Sequence, residues 1–90
     1  MLTVWKYPLP FPASDSVSMM MPVGARILTL QIQGGEPTLW AEVDDTRPVR
    51  NRCFTRYGTG HRLPPSPGVY VGTFSRDGFI WHVYEQELEE

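Results

Sequence analysis

The residues best equipped for chemistry lie in one stretch. Between Thr46 and Arg62 the chain carries Arg47, Arg50, Arg52, Arg56 and Arg62 and no acidic residue. All five are arginine. A planar guanidinium grips a phosphate or carboxylate with two parallel hydrogen bonds, where lysine acts as a point charge. Arg52 and Arg56 flank Phe54 at alternating positions, so in a strand all three share a face and two guanidiniums stand beside a stacking ring. That triplet suits a nucleotide. The same arginines can equally pair with Asp44, Asp45 and the glutamates to keep a wet face charged.

Tyr57-Gly58-Thr59-Gly60-His61-Arg62 follows at once. Two glycines one residue apart let successive backbone N–H groups turn toward a common point, an anion-binding nest to which His61 and Arg62 add donors. A dinucleotide fingerprint needs a third glycine and a helix start, and Leu63-Pro64-Pro65 supplies neither. The candidate ligand-binding set is therefore Arg50, Arg52, Arg56, Tyr57, Gly58, Thr59, Gly60, His61 and Arg62. The alternative for the glycines is a backbone solution to a loop, with His61 bonded to a carbonyl.

Other reactive side chains read as structural. His82, between Trp81 and Val83, reads as a packed, hydrogen-bonded histidine. Cys53 is a lone cysteine, read as a small buried hydrophobe. Two His, one Cys and scattered carboxylates have no metal-ligand spacing, so neither metal nor cofactor is assigned. Asp44-Asp45 suits a turn. Pro64 to Pro67 has a P-x-x-P spacing that a surface loop explains as well. No nucleophile, base and orienting residue stand in register, so no enzyme is expected.

The elements that must position the arginines follow from composition. The chain has 90 residues, 41% of them apolar and 20% charged, with a net charge of −2. That is too apolar for disorder, large enough for one core, and not the balance of a binder of long nucleic acids. One β domain over residues 1–90 is expected. A lone cysteine fits a reducing cytoplasm, and no stretch approaches the roughly 20 apolar residues of a membrane span. Nine prolines and eight glycines leave few windows for a helix, and the runs between them are rich in Val, Ile, Leu, Thr and aromatics.

Seven strands are predicted: residues 2–7, 16–21, 26–33, 38–44, 52–57, 69–74 and 79–84. Leu28, Leu30 and Ile32 are expected on the core face of the third, against Thr29, Gln31 and Gln33. Gly34-Gly35 and Asp77-Gly78 mark tight hairpins. The prolines at 8, 10 and 12 are expected to run along a surface. Met19-Met20-Met21 is read as core filling or a subunit contact. Residues 85–90, with four glutamates, read as a solvated, frayed tail. The sum is a small antiparallel β-sandwich or partly closed barrel with little or no helix. The last strand is aromatic on both faces, Phe79 and Trp81 on one and Tyr84 on the other beside Ile80 and His82, which predicts a homo-oligomer.

Trp5-Lys6-Tyr7-Pro8-Leu9, Met21-Pro22-Val23-Gly24-Ala25-Arg26-Ile27-Leu28, Leu39-Trp40-Ala41, Tyr57-Gly58-Thr59-Gly60-His61, Tyr70-Val71-Gly72-Thr73-Phe74 and Trp81-His82-Val83-Tyr84-Glu85 occur in this order. The set resembles a family of small bacteriophage and prophage proteins known as a domain of unknown function, with no established active site. The resemblance implies a phage protein in a bacterial cytoplasm. Its first expected role is to sequester a phosphorylated or nucleotide small molecule, such as a second messenger of antiphage defence. The alternative is an interaction or structural accessory protein acting on a host or virion protein.

Overall fold

The computed structural model describes residues 1–11 and 14–87. Its seven strands are β1 (Leu2–Pro8), β2 (Ser16–Pro22), β3 (Arg26–Gln33), β4 (Glu36–Asp44), β5 (Val49–Gly58), β6 (Val69–Arg76) and β7 (Phe79–Glu85). They form two antiparallel sheets, β1-β4-β3 and β2-β5-β7-β6. The sheets do not close into one barrel, so the architecture is sandwich-like. No helix among the described residues is long and apolar enough to cross a membrane.

The hairpins form where the sequence permits positive φ. Gly34 and Gly35 at φ 58° and 82° turn β3 into β4, and Asp77 and Gly78 at 52° and 80° turn β6 into β7. Positive φ at both central residues matches the right-handed twist of the flanking strands. In β4 Leu39, Ala41 and Val43 alternate into the core and are buried. Across the interior stand Phe54 of β5, Phe74 of β6 and Val83 of β7, with Met21 of β2.

Three expectations need correction. In β3 the register slips between Ile27 and Thr29, so Ile27 stands opposite Ala41 and Leu30 opposite Leu39. A bulge at Leu28 makes Ile27, not Leu28, the core partner of Leu30, and leaves Leu28 exposed. The proline-bounded segment after β1 does not merely follow the surface. Leu9 and Phe11 drive into the core, and Leu9 N–H donates to the Pro37 carbonyl at 2.8 Å. Prolines remove donors there without removing the apolar side chains between them. The acidic end is not all tail either: Glu85 belongs to β7, and Gln86 N–H donates to the Cys53 carbonyl at 2.9 Å. Leu88, Glu89 and Glu90 lie outside the described residues.

The methionine run divides by strand alternation: Met21 is buried, Met19 packs against the core and Met20 is exposed. One side of the sandwich is closed where β3 approaches β6. There Leu30 lies so close to Gly72 that a Cβ on the glycine would meet the Leu30 Cβ at 3.0 Å. At the opposite side β1 and β2 are the terminal strands of their sheets.

Candidate functional site

β5 is the central strand of the arginine segment, paired with β2 on one side and β7 on the other. Arg52, Phe54 and Arg56 do share a face, and Phe54 between them is fully buried. The two guanidiniums nevertheless meet different neighbours.

Arg52 is consumed by the fold. Its Nε donates to Glu85 Oε2 at 2.6 Å and its NH2 to Oε1 at 2.7 Å, while NH1 donates to the Ala25 carbonyl at 2.7 Å. The hydrogen-bonded Glu85 carboxylate raises the Arg52 pKa above its ordinary value, against an opposing effect of burial. Nearby, burial pushes the Tyr7 phenol up, and the Arg52 charge works the other way; the Tyr7 hydroxyl has no hydrogen-bond partner among the described residues. Arg50 is exposed and shares a shallow hollow of about 300 Å³ with Pro22, Gly24, Ala25, Arg52 and Glu85. Arg62 is exposed in the loop after β5.

Arg56 points elsewhere. Its guanidinium carbon lies 4.1 Å from the Trp81 ring centroid and 5.0 Å from that of Phe11. Its Nε donates to Asp15 Oδ1 at 3.0 Å. The groove beside it, about 330 Å³, is lined by Phe11, Arg56, Arg76, Asp77, Phe79 and Trp81. Two arginines and three aromatic rings therefore surround one opening. Each guanidinium has one aspartate nearby, Asp15 at 3.0 Å from Arg56 and Asp77 at 4.0 Å from Arg76. Both carboxylates are exposed, 63% and 89%, where water and salt weaken such pairs.

The glycine segment makes a loop, not the expected nest. Gly58 N–H donates to His61 Nδ1 at 3.2 Å, Thr59 N–H to the Ile80 carbonyl at 3.0 Å, and His61 N–H to the Gly58 carbonyl at 3.0 Å. Those amides have acceptors inside the chain, so they do not converge on an anion. Gly58 is required because the imidazole lies over it, where a Cβ would be 2.8 Å from the ring. His61 also stands edge-on to Trp81 at 6.0 Å. The indole is thus the common neighbour of Arg56 and His61.

Behind this loop is a second cavity of about 220 Å³, lined by Tyr57, Gly58, Thr59, Gly60, His61, Leu63, His82 and Tyr84. His82 Nε2 is 2.8 Å from the Thr59 hydroxyl and Nδ1 is 3.0 Å from that of Thr73, which reaches the Tyr70 hydroxyl in turn. Both ring nitrogens are satisfied, as a packed histidine requires. Among the described residues no three His, Cys, Asp or Glu side chains gather to hold a metal ion.

The nine sequence-derived residues therefore do not line one pocket. Arg50 and Arg52 stand with Glu85, Tyr57 to His61 line the second cavity, and Arg56 belongs to the aromatic groove. Phe11, Arg76, Phe79 and Trp81 were not in the expected set. β5 pairs with β7 so that Gly58 faces Trp81 and Arg56 faces Val83, which sets the indole diagonally beside the guanidinium. That pairing joins strands distant in sequence, so local pattern does not reveal it.

A small all-β sandwich with an arginine- and aromatic-lined groove is the class that the geometry defines. The chain belongs to the family described as a domain of unknown function (DUF7352), which matches residues 1–90. Neither a curated protein nor a solved structure matches the chain.

Proposed function

We propose that this is a non-enzymatic binding protein of phage type that takes a small phosphorylated or nucleotide ligand in the groove around Arg56. One observation carries the reading: a guanidinium packed between two aromatic rings shares an opening with a second arginine. A ring system stacks on Phe79 or Trp81, and a phosphate takes the place of Asp15 or Asp77 on the guanidiniums. The phage origin rests on the motif resemblance, and sequestering a second messenger in the bacterial cytoplasm is the role that fits it. Of the nine sequence-derived residues, Arg56 is assigned to phosphate, with His61 positioning Trp81 through its T-shaped contact. Arg52 is left to the fold.

The test is direct. The purified protein is incubated with a bacterial nucleotide extract, washed and heated, and the released material is identified by mass spectrometry. A nucleotide is expected from the wild type and none from Arg56→Ala of equal thermal stability. A clean supernatant, with an unchanged melting temperature in the extract, would refute the reading.

A second reading draws on the exposed Phe79, Ile80, Val69 and Tyr70 of the β6–β7 hairpin: an accessory protein that docks this hairpin onto a host or virion protein. Pull-down of one dominant partner, lost in Phe79→Ser, would favour it over the ligand.

A further inference from the structure

The terminal strand β1 has the features of an unfinished sheet. It pairs with β4 from Leu2 to Pro8 without a register shift. At its two ends Asp45 N–H donates to the Met1 carbonyl and Leu9 N–H to the Pro37 carbonyl. Backbone direction alternates along a strand, so the odd-numbered residues turn their N–H and C=O toward β4. Leu2, Val4 and Lys6 turn theirs to the open edge, where β1 has no strand neighbour among the described residues.

Sheet edges are ordinarily protected by bulges, charges or prolines. β1 has no bulge, one lysine and a terminal proline, and apart from Lys6 its exposed side chains are apolar. Leu2 is 68% exposed, Val4 52% and Trp5 40%. The other open edge, β2, differs. Arg56 N–H donates to the Asp15 carbonyl and Val23 N–H to that of Pro48, so the odd-numbered residues of β2 face β5. Its outward backbone groups belong to Ser16, Ser18 and Met20, with the Ser16 N–H already given to Ser14 Oγ at 3.2 Å and Pro22 at the end.

We infer that β1 pairs with β1 of a second copy, antiparallel about a two-fold axis through Val4, joining two three-stranded sheets into one. The register follows from which backbone groups are free. With Val4 opposite Val4, Leu2 faces Lys6 and Lys6 faces Leu2, and each of these pairs exchanges both N–H···O bonds. Shifting by two residues toward the C-terminus sets Leu2 opposite Pro8, which has no N–H. Shifting the other way sets Leu2 opposite Val4 and carries Lys6 beyond Leu2, where β1 starts. In the Val4-centred register the two lysines lie on opposite sides of the axis, about 13 Å apart along the strands, so like charges do not meet. On the outer face Val4 meets Val4 across the new junction with Leu2 diagonal to it, and Trp5 stands opposite Thr3 on the inner face. A second copy is the occupant because this strand is complementary to itself. The interface involves none of the groove residues, so it stands or falls apart from the ligand reading.

Val4→Pro is the decisive variant. The Val4 N–H faces outward, so proline removes a donor from the junction and none from the β1–β4 ladder. Size-exclusion chromatography with light scattering is expected to give twice the 10.3 kDa chain mass for the wild type and one chain mass for Val4→Pro, with the same circular dichroism spectrum. Should Val4→Pro unfold, Val4→Lys decides: it sets two ammonium groups face to face on an exposed surface and is expected to give a folded monomer. A wild type that stays monomeric up to about 1 mM would overturn the inference. So would an oligomer that folded Val4→Pro or Val4→Lys leaves intact.

Discussion

Glu85→Gln isolates the ion pair that takes Arg52 out of the binding account. The substitution keeps the volume, removes the charge and leaves the guanidinium with one strong neutral acceptor, the Ala25 carbonyl at 2.7 Å. The two side chains are only 15% and 18% exposed, so water does little to replace the lost carboxylate. Removing one partner of a fully buried pair costs about 3–5 kcal/mol. Residual exposure and the amide oxygen of glutamine reduce that here to about 2–3 kcal/mol, in line with the loss of charge-assisted hydrogen bonds. For a domain of this length the melting temperature should fall by about 10–20 °C. Urea unfolding followed by circular dichroism reads the loss as a lower midpoint at unchanged slope. Replacing both residues, Arg52→Met with Glu85→Leu, should recover most of the stability, because no uncompensated charge remains. A loss under about 0.5 kcal/mol in Glu85→Gln would show that the pair behaves as an exposed surface bridge, and the reason for excluding Arg52 from the site would fall.

Phe54→Ala empties a fully buried position at the centre of the core and should cost about 3–5 kcal/mol by chemical denaturation, a large share of the stability of a domain this small. The Thr46 hydroxyl and then the Thr46 N–H hold the Asp44 carboxyl down to about 2, from 3.8. Its contribution to stability is therefore present above 3.8 and lost as pH falls through about 2, and Thr46→Val should move the midpoint, read by NMR, toward 3.8. Asp15→Asn removes the carboxylate that competes with a phosphate for Arg56; nucleotide binding by calorimetry should tighten several-fold, and weaker binding would count against the groove.

The strands were legible because proline and glycine punctuate short apolar runs, and each of the seven predicted runs overlaps one observed strand. What escaped was set by pairing. The bulge at Leu28 depends on how β3 meets β4, and nothing in Arg26 to Gln33 alone marks it. The arginine segment lacks acidic residues locally, yet its carboxylates arrive from afar: Glu85 through the β5–β7 pairing, and Asp15 from just before β2. The same pairings bring Trp81 to Arg56. The amides of the expected nest are spent partly within the turn, on Gly58 and His61, and partly on Ile80 of β7. The arginine beside an aromatic ring that the sequence suggested is found at Arg56 against Trp81, with Arg76 rather than Arg52 as the second guanidinium of the opening, and phosphate binding there is our proposal.

Fluorescence of Trp81 tests the groove most directly. With Trp5 and Trp40 replaced by Phe, the remaining indole lies 4.1 Å from the Arg56 guanidinium and lines the opening. Titration with ADP and with a cyclic dinucleotide should give a saturable change in emission at micromolar ligand. Arg76→Ala, which leaves the indole and its cation in place, should weaken that response at least about tenfold. A response that is absent or linear up to millimolar ligand, or one that Arg76→Ala leaves unchanged, would contradict the account.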